Sequence, residues 1–239
     1  MDNAGYVALG RQAGLLQELQ TVANNIANLS TAGYRREGVI FAEHVKRLDG
    51  DELGSLSIAT ARGRVTDPTQ GTLSQTGGRF DFAIEGDGFF VLQTPDGPRL
   101  TRAGSFTPNG QGDLVDPDGF PVLDAGGTPI FIPPDVSVVA LAPDGTLSAD
   151  GLPLAQIGVV APEDQATMTR QGGTMFRSDG GFQQIENPMV AHGFIEQSNV
   201  SAVSEMARMI EIQRAYELGQ KILDREDERM RATVRVLGQ

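Results

Sequence analysis

The chain has 239 residues, 31 acidic against 19 basic, for a formal net charge of -12, and it contains neither cysteine nor tryptophan. The missing cysteine excludes disulfides, thiolate metal sites and thiol nucleophiles, and the negative charge excludes the concentrated positive field that nucleic-acid binding needs. No apolar run approaches the roughly 18 residues of a membrane span, and Met1-Asp2-Asn3 lacks the basic and apolar segments of a cleavable signal, so export is expected to take another route.

Charge, proline and glycine draw the same boundaries. Residues 1–48 carry five basic and four acidic side chains, residues 49–200 seven and twenty, and residues 201–239 seven and seven. All 13 prolines lie between Pro68 and Pro188, and 23 of the 30 glycines between Gly50 and Gly193. Near-neutral, proline-free ends suit helices that pack on copies of themselves, whereas an acidic middle stays soluble and outward. The expected fold class is α+β: long N- and C-terminal helices forming a coiled-coil-like α domain, with a central antiparallel β-rich domain.

A first helix is expected from about Ala4 to Asn28. Leu15, Leu19, Val22, Ile26 and Leu29 recur at four- and three-residue steps, and Leu9, Ala13, Leu16, Ala23 and Ala27 form a second seam of smaller residues. Asn24, Asn25 and Asn28 compete for backbone hydrogen bonds and should end the helix. Gly33, just before Tyr34, then supplies a positive-φ turn. Residues 1–36 are assigned to this helix and turn. Residues 37–70 read as an extended linker in which Phe41, Val45 and Leu48 are candidates to face a core.

Residues 71–195 read as the β domain. Phe82 and Ile84 precede Gly86-Asp87-Gly88 and then Phe89 to Leu92, which predicts a hairpin. Pro95-Asp96-Gly97, Asn109-Gly110, Asp118-Gly119, Asp144-Gly145 and Asp150-Gly151 punctuate a meander. Residues 161–195 look like an irregular return. From residue 196 to 239 a second helix is expected, with Ser198, Asn199 and Ser201 as capping candidates and Glu205 in the first turn, where the helix dipole favours it. One seam runs Met209, Ile212, Tyr216, Gly219, Leu223 and on to Met230, the other Ala215, Leu218, Ile222, and the apolar pattern continues through Val234 and Leu237. A helix this long cannot be buried within its own chain.

The chemistry-bearing residues fall into bland patterns. Asp113, Asp116 and Asp118 with Gly119 lack the terminal glutamate of a calcium loop and read as turns. Gly86-Asp87-Gly88 lacks the rest of a dinucleotide fingerprint. His44 and His192 have no helical partner ligand, and Ser105 lacks the flanking glycines of a nucleophile elbow. No catalytic residue, metal or cofactor is expected.

The motifs in chain order are Ala23-Asn24-Asn25-Ile26-Ala27-Asn28 with Ser30 to Arg36, then Gly71-Thr72-Leu73 and Phe80 to Phe90, then Thr101-Arg102-Ala103-Gly104-Ser105-Phe106 with Gly112 to Val115. The last is Glu196-Gln197-Ser198-Asn199-Val200 with Glu205-Met206 and Gln213 to Glu217. Together they resemble the axial proteins of the bacterial flagellum, the rod and hook family. Met1-Asp2-Asn3 with Tyr6 and the modest length are most like its proximal rod members, ahead of distal rod and hook subunits. The resemblance implies a non-enzymatic subunit of a tubular driveshaft, exported unfolded through the flagellar type III apparatus and assembled in the periplasm with other copies and neighbouring rod proteins, without membrane insertion. It also implies terminal helices paired in the inner wall. The expected assembly interface comprises Leu15, Leu19, Val22, Asn24, Asn25, Ile26, Asn28, Gly33, Tyr34, Asn199, Val200, Met206, Met209, Ile210, Gln213, Tyr216, Leu218, Ile222 and Leu223. Rival readings are an enzyme or a secreted β-domain protein with a helical dimerisation stalk, and an adhesin binding through its acidic middle.

Overall fold

A computed structural model describes residues 3–46 and 56–237. They divide into two compact units, one drawn from residues 1–27, 36–67 and 201–239, the other from residues 28–35 and 68–200. Leu48, Met1 and Asp2 lie outside the described residues, as do the side chains of Tyr6, Phe41, His44, Val45, Met230, Val234 and Leu237.

The first unit contains α1 (Asn3–Ala27), β1 (Glu37–Lys46), β2 (Leu56–Thr66) and α2 (Ala202–Leu237). The helix α1 stops at Ala27, inside the asparagine cluster, and Glu205 sits in the first turn of α2. The two helices run antiparallel, Asn25 level with Glu205 and Gln12 with Tyr216, and α2 has 36 residues against 25 in α1. One face of each is covered. On α1 Val22 is buried and Leu15, Leu19 and Ile26 are half-buried; on α2 Ile212 is buried and Met209, Tyr216 and Leu223 are half-buried. The interior glycine of α2 has a reason: a Cβ on Gly219 would lie 2.3 Å from Nε2 of Gln12.

Residues 37–70, expected as an extended linker, instead contain a hairpin. β1 and β2 pair antiparallel from Glu37 with Thr66 to Lys46 with Leu56, with one bulge after Ile40, and α1 packs on both strands. Val39, Ile40, Val45, Ile58, Thr60, Val65 and Thr66 supply the β-branched residues that favour a pleated surface. Their alternation is diluted by Gly38, Gly63 and several alanines, which is why the stretch reads as loop.

The second unit contains β3 (Leu73–Gln75), β4 (Phe82–Ile84), β5 (Phe89–Thr94), β6 (Gly97–Thr101), β7 (Thr107–Pro108), β8 (Leu114–Val115), β9 (Val139–Leu141), β10 (Thr146–Ala149) and β11 (Leu152–Gln156). It continues with β12 (Val159–Pro162), β13 (Met168–Arg170), β14 (Met175–Ser178), β15 (Phe182–Gln184), β16 (Val190–His192) and β17 (Phe194–Glu196). The central sheet has the order β13-β14-β6-β5-β12-β15, and β9, β10 and β11 form a three-stranded meander. All pairings among the described strands are antiparallel.

Two expectations are corrected here. Phe82–Ile84 does not form a hairpin with Phe89–Leu92; β4 pairs with β16, while β5 pairs with β6 and β12. Phe89 to Leu92 are buried in succession, the mark of a central strand covered on both faces; β6 follows it through a tight turn, while β12 on its other side comes from far along the chain. The irregular return at 161–195 is five short strands, each too brief to show periodicity. The main core gathers Phe82, Ile84, Phe90, Leu92, Phe106, Leu114, Val122, Ile130, Leu147 and Ile157, with Phe90 and Phe106 edge to face at 5.3 Å. A smaller cluster of Phe89, Val91, Leu100, Leu123, Val160 and Phe176 fills the other face of the sheet. Each large side chain so covered contributes about 1.5 to 3 kcal/mol.

Candidate assembly surface

In the first unit, polar side chains hold the helices and hairpin in register. The Asn25 amide is fully buried; its Nδ2 donates to the Glu37 carbonyl at 2.8 Å and to Glu205 Oε2 at 3.0 Å, and its Oδ1 accepts the Glu37 amide at 3.0 Å. A side-chain amide carries both the donor and the acceptor needed to serve an N–H and a C=O of one residue at once. Arg36 Nε closes on Glu205 Oε1 at 2.6 Å. Further along, Arg208 Nε donates to Glu18 Oε1 at 2.7 Å, and the Gln12 amide donates to the Tyr216 carbonyl at 2.9 Å. The Glu18 hydrogen bond holds Arg208 further into its protonated range. Register is thus set by directional contacts, which a smooth apolar seam would leave loose.

The second face of each helix stays uncovered. Leu9 and Leu16 on α1, and Val203, Met206, Ile210, Leu218 and Ile222 on α2, are at least 44% exposed, Val203 reaching 80%. Ala13, Ala23 and Ala27 are exposed beside them, while Ala215 is half-buried. The expected interface residues therefore separate. Met206, Ile210, Gln213, Leu218, Ile222 and Asn24 are exposed; Leu15, Leu19, Ile26, Asn28, Asn199, Val200, Met209, Tyr216 and Leu223 are half-buried; Val22, Asn25, Gly33 and Tyr34 are buried within their own unit. The last four have no surface left for a neighbour in this conformation, because each is already spent on an internal contact.

The second unit holds a buried ionic junction. Glu196 Oε1 lies 3.1 Å from Arg35 and accepts the Gly71 amide at 3.0 Å, while Oε2 lies 3.4 Å from Arg102; all three charged side chains are at most 3% exposed. Gly33 donates its amide to the Glu196 carbonyl at 2.8 Å with φ of +70°, and a Cβ there would lie 2.2 Å from the Ala103 nitrogen. Arg35 also donates to the carbonyls of Pro68 and Thr69. Arg170 stacks between Tyr34 at 4.3 Å and Phe176 at 4.7 Å and donates to the Arg35 carbonyl at 2.5 Å. Burial lowers the Arg102 guanidinium to about 10, with Glu196 opposing that shift. The junction is a buried scaffold.

The turn aspartates bind backbone: Asp116 Oδ1 accepts the amides of Asp118 and Phe120 at 3.1 and 2.8 Å. Nε2 of His192 lies 3.0 Å from the Arg79 carbonyl. Among the described residues no cluster of three or more histidine and carboxylate ligands is poised for a metal, and no helix is long and apolar enough to cross a membrane.

Residues 6–35 match the family described as flagella basal body rod protein, residues 83–149 the D1 domain of flagellar hook protein FlgE/F/G, and residues 191–236 the C-terminal region of flagellar basal body rod FlgEFG protein. The chain is 41% identical to the flagellar basal-body rod protein FlgF of Caulobacter vibrioides, across 100% of this chain and 99% of the relative. The chain belongs to the flagellar basal-body rod protein family. FlgF of Mesorhizobium japonicum is 37% identical over 91% of the chain and 90% of the relative, and FlgG of Bacillus subtilis 29% over 93% and 94%. A structural role in the rod, most like that of FlgF, is the function this membership carries. In this rod protein each matched stretch gives one member of the buried junction: Arg35 from the first, Arg102 from the second, Glu196 from the third. All three stand inside sequence motifs, but Arg35 sits beside Arg36 and Glu37 and Glu196 before Gln197-Ser198-Asn199, so nothing local marks them as charges to be buried or says that they meet.

Proposed function

We propose that the chain assembles through the uncovered faces of its two terminal helices into the flagellar rod, as a proximal-rod-type subunit of a tubular driveshaft that transmits torque. In this reading α1 and α2, with the β1–β2 hairpin packed on α1, make the coiled-coil-like axial core, and residues 28–35 and 68–200 the outer layer. The subunit works in the periplasmic part of the basal body, contacts copies of itself and neighbouring rod proteins, is exported through the type III apparatus without a cleavable signal, and has no catalytic activity.

The observation that carries the reading is the apolar stripe of Met206, Ile210, Leu218 and Ile222, each at least half exposed along one helix, beside Leu9 and Leu16 on the other. Monomers rarely leave so long a row uncovered, and helices with half their seams bare are marginal in water, so the pair is expected to complete its folding on neighbours. Contacts between unlike surfaces give an open helical assembly.

Ile210→Asp puts a charge into that stripe and removes no internal contact of the β unit. In a strain lacking the wild-type protein, the variant should be produced and exported yet leave cells non-motile and without complete rods in electron micrographs of basal bodies. Normal motility would refute the assignment of this face.

A further inference from the structure

We infer that Glu196 is a positioning residue for assembly: with Arg35 and Arg102 it tethers the inner ends of α1 and α2 together independently of any pairing between the helices themselves. The inference rests on the assembly reading only for its consequence, not for its geometry.

The geometry lies wholly within the β unit. The chain enters this unit from α1 at Asn28 and leaves it toward α2 at Val200. Three contacts join the entering and leaving segments there, and two more, to Arg102 and Thr69, brace the leaving one, all without using a helical residue. The Gly33 amide donates to the Glu196 carbonyl, the Asn199 amide to the Tyr34 carbonyl at 3.3 Å, and the Glu196 carboxylate takes Arg35 directly and Arg102 beside it. The Asn199 side chain donates to the Thr69 carbonyl at 2.8 Å, the same carbonyl that Arg35 reaches. Gly33 and Gly71 are needed because the entering segment lies against the backbone of Ala103 and the leaving one against that of Gly71: an added Cβ would stand 2.2 Å from the Ala103 nitrogen and 1.9 Å from the Gln197 carbonyl oxygen. Arg170 covers the entering segment from the sheet edge.

The consequence is one of effective concentration. Without the tether, and with β17 still paired to β3, the path from Ala27 to Ala202 runs by way of Leu73 and Glu196 and is about 50 residues; through the Gly33–Glu196 bond it is about a dozen. Closure probability scales as the −3/2 power of loop length, so the tether raises the local concentration of one helix at the other about ninefold. An assembling subunit then offers both helices to a neighbour at once. A carboxylate held by two guanidiniums suits this task because losing one partner strands a buried charge, which makes the closure all-or-none.

The absence of cysteine makes the test direct. Spin labels on Ala23→Cys and Val203→Cys, at exposed sites beside the two helix ends, report the distance between those ends in the dilute full-length subunit. The measurement is made at the lowest urea concentration, zero if none is needed, at which hydrogen exchange shows both helices unprotected while β5 and β6 remain protected. A narrow distance distribution is expected in the parent, and a broad one in Glu196→Gln with the sheet still protected. Should Glu196→Gln unfold the sheet, Arg170→Ala, which removes a lid at an edge strand, should broaden the distribution on a protected sheet. The onset concentration for self-association should rise about ninefold in the broadened variants. A broad distribution in the parent, or a narrow one in every variant whose sheet stays protected, would overturn the tether. The exchange data report helix pairing separately, so helices already protected without urea would count against helices that wait for neighbours and leave the tether to be judged by distance alone.

Discussion

The two units bury their apolar side chains in opposite ways. In the β unit Phe82, Phe90, Leu92, Leu114 and Ile157 are essentially inaccessible, and the large side chains left outside, such as Val138 and Leu152, are scattered. In the helical unit only Val22 and Ile212 among the described apolar side chains are fully covered, while Met206, Ile210, Leu218 and Ile222 remain on the surface of one helix and Leu9 and Leu16 on that of the other. The first pattern is a core complete in one chain; the second is a core of which one chain holds part. Stability of the β unit should therefore be a property of the monomer, and that of the helical unit a property of concentration.

The largest test of that contrast is Phe90→Ala. Removing a fully buried ring that stacks on Phe106 should cost about 3 to 5 kcal/mol, and urea unfolding of the dilute subunit followed through the sheet should show nearly all of it. A loss below about 1 kcal/mol would mean that the β core is not the monomer's main store of stability. Asn25→Ala is the counterpart in the helical unit, stripping the Glu37 amide and carbonyl and the Glu205 carboxylate of a buried partner, worth about 1 to 3 kcal/mol when the unit is formed. If the helices wait for neighbours, hydrogen exchange in the dilute subunit should barely register the change while assembled material loosens. An equal penalty in both states would show that the helices pair within the monomer.

Leu218→Asp, on the exposed stripe, should shift the stability of the dilute subunit by no more than about 0.5 kcal/mol while abolishing self-association in sedimentation. A destabilised monomer would mean that this face is covered within the chain. The smallest effect is expected at Asp116, whose carboxyl burial holds above the usual range. A carboxyl raised in the folded state favours its neutral form, so its contribution is present below the unfolded value and is lost as pH rises through the folded one. At pH 7 Asp116→Asn should match or slightly exceed the parent, by about 0.5 kcal/mol at most, and thermal melts should show the margin closing as pH falls toward about 4. A margin that widens on acidification would show that the amide donors of Asp118 and Phe120 outweigh burial.

Composition and periodicity alone determine much of this protein. The confinement of proline and glycine to the middle, the stepped Leu15–Leu19–Val22–Ile26 seam, the asparagine stop after α1, the positive φ of Gly33 and the charge at the start of α2 are local preferences, written in residues a few positions apart. The presence of a second apolar stripe is local too, because helical spacing fixes which residues share a face. Tertiary structure decided the rest. Which stripe is covered depends on the partner helix and on the β1–β2 hairpin, whose diluted alternation hid it. Strand partners such as β4 with β16 come from about 100 positions apart, and the meeting of Arg35, Arg102 and Glu196 joins residues up to about 160 positions apart. Pairing at that range leaves no periodic trace in the chain; it becomes visible only when a buried charge has to be matched in space.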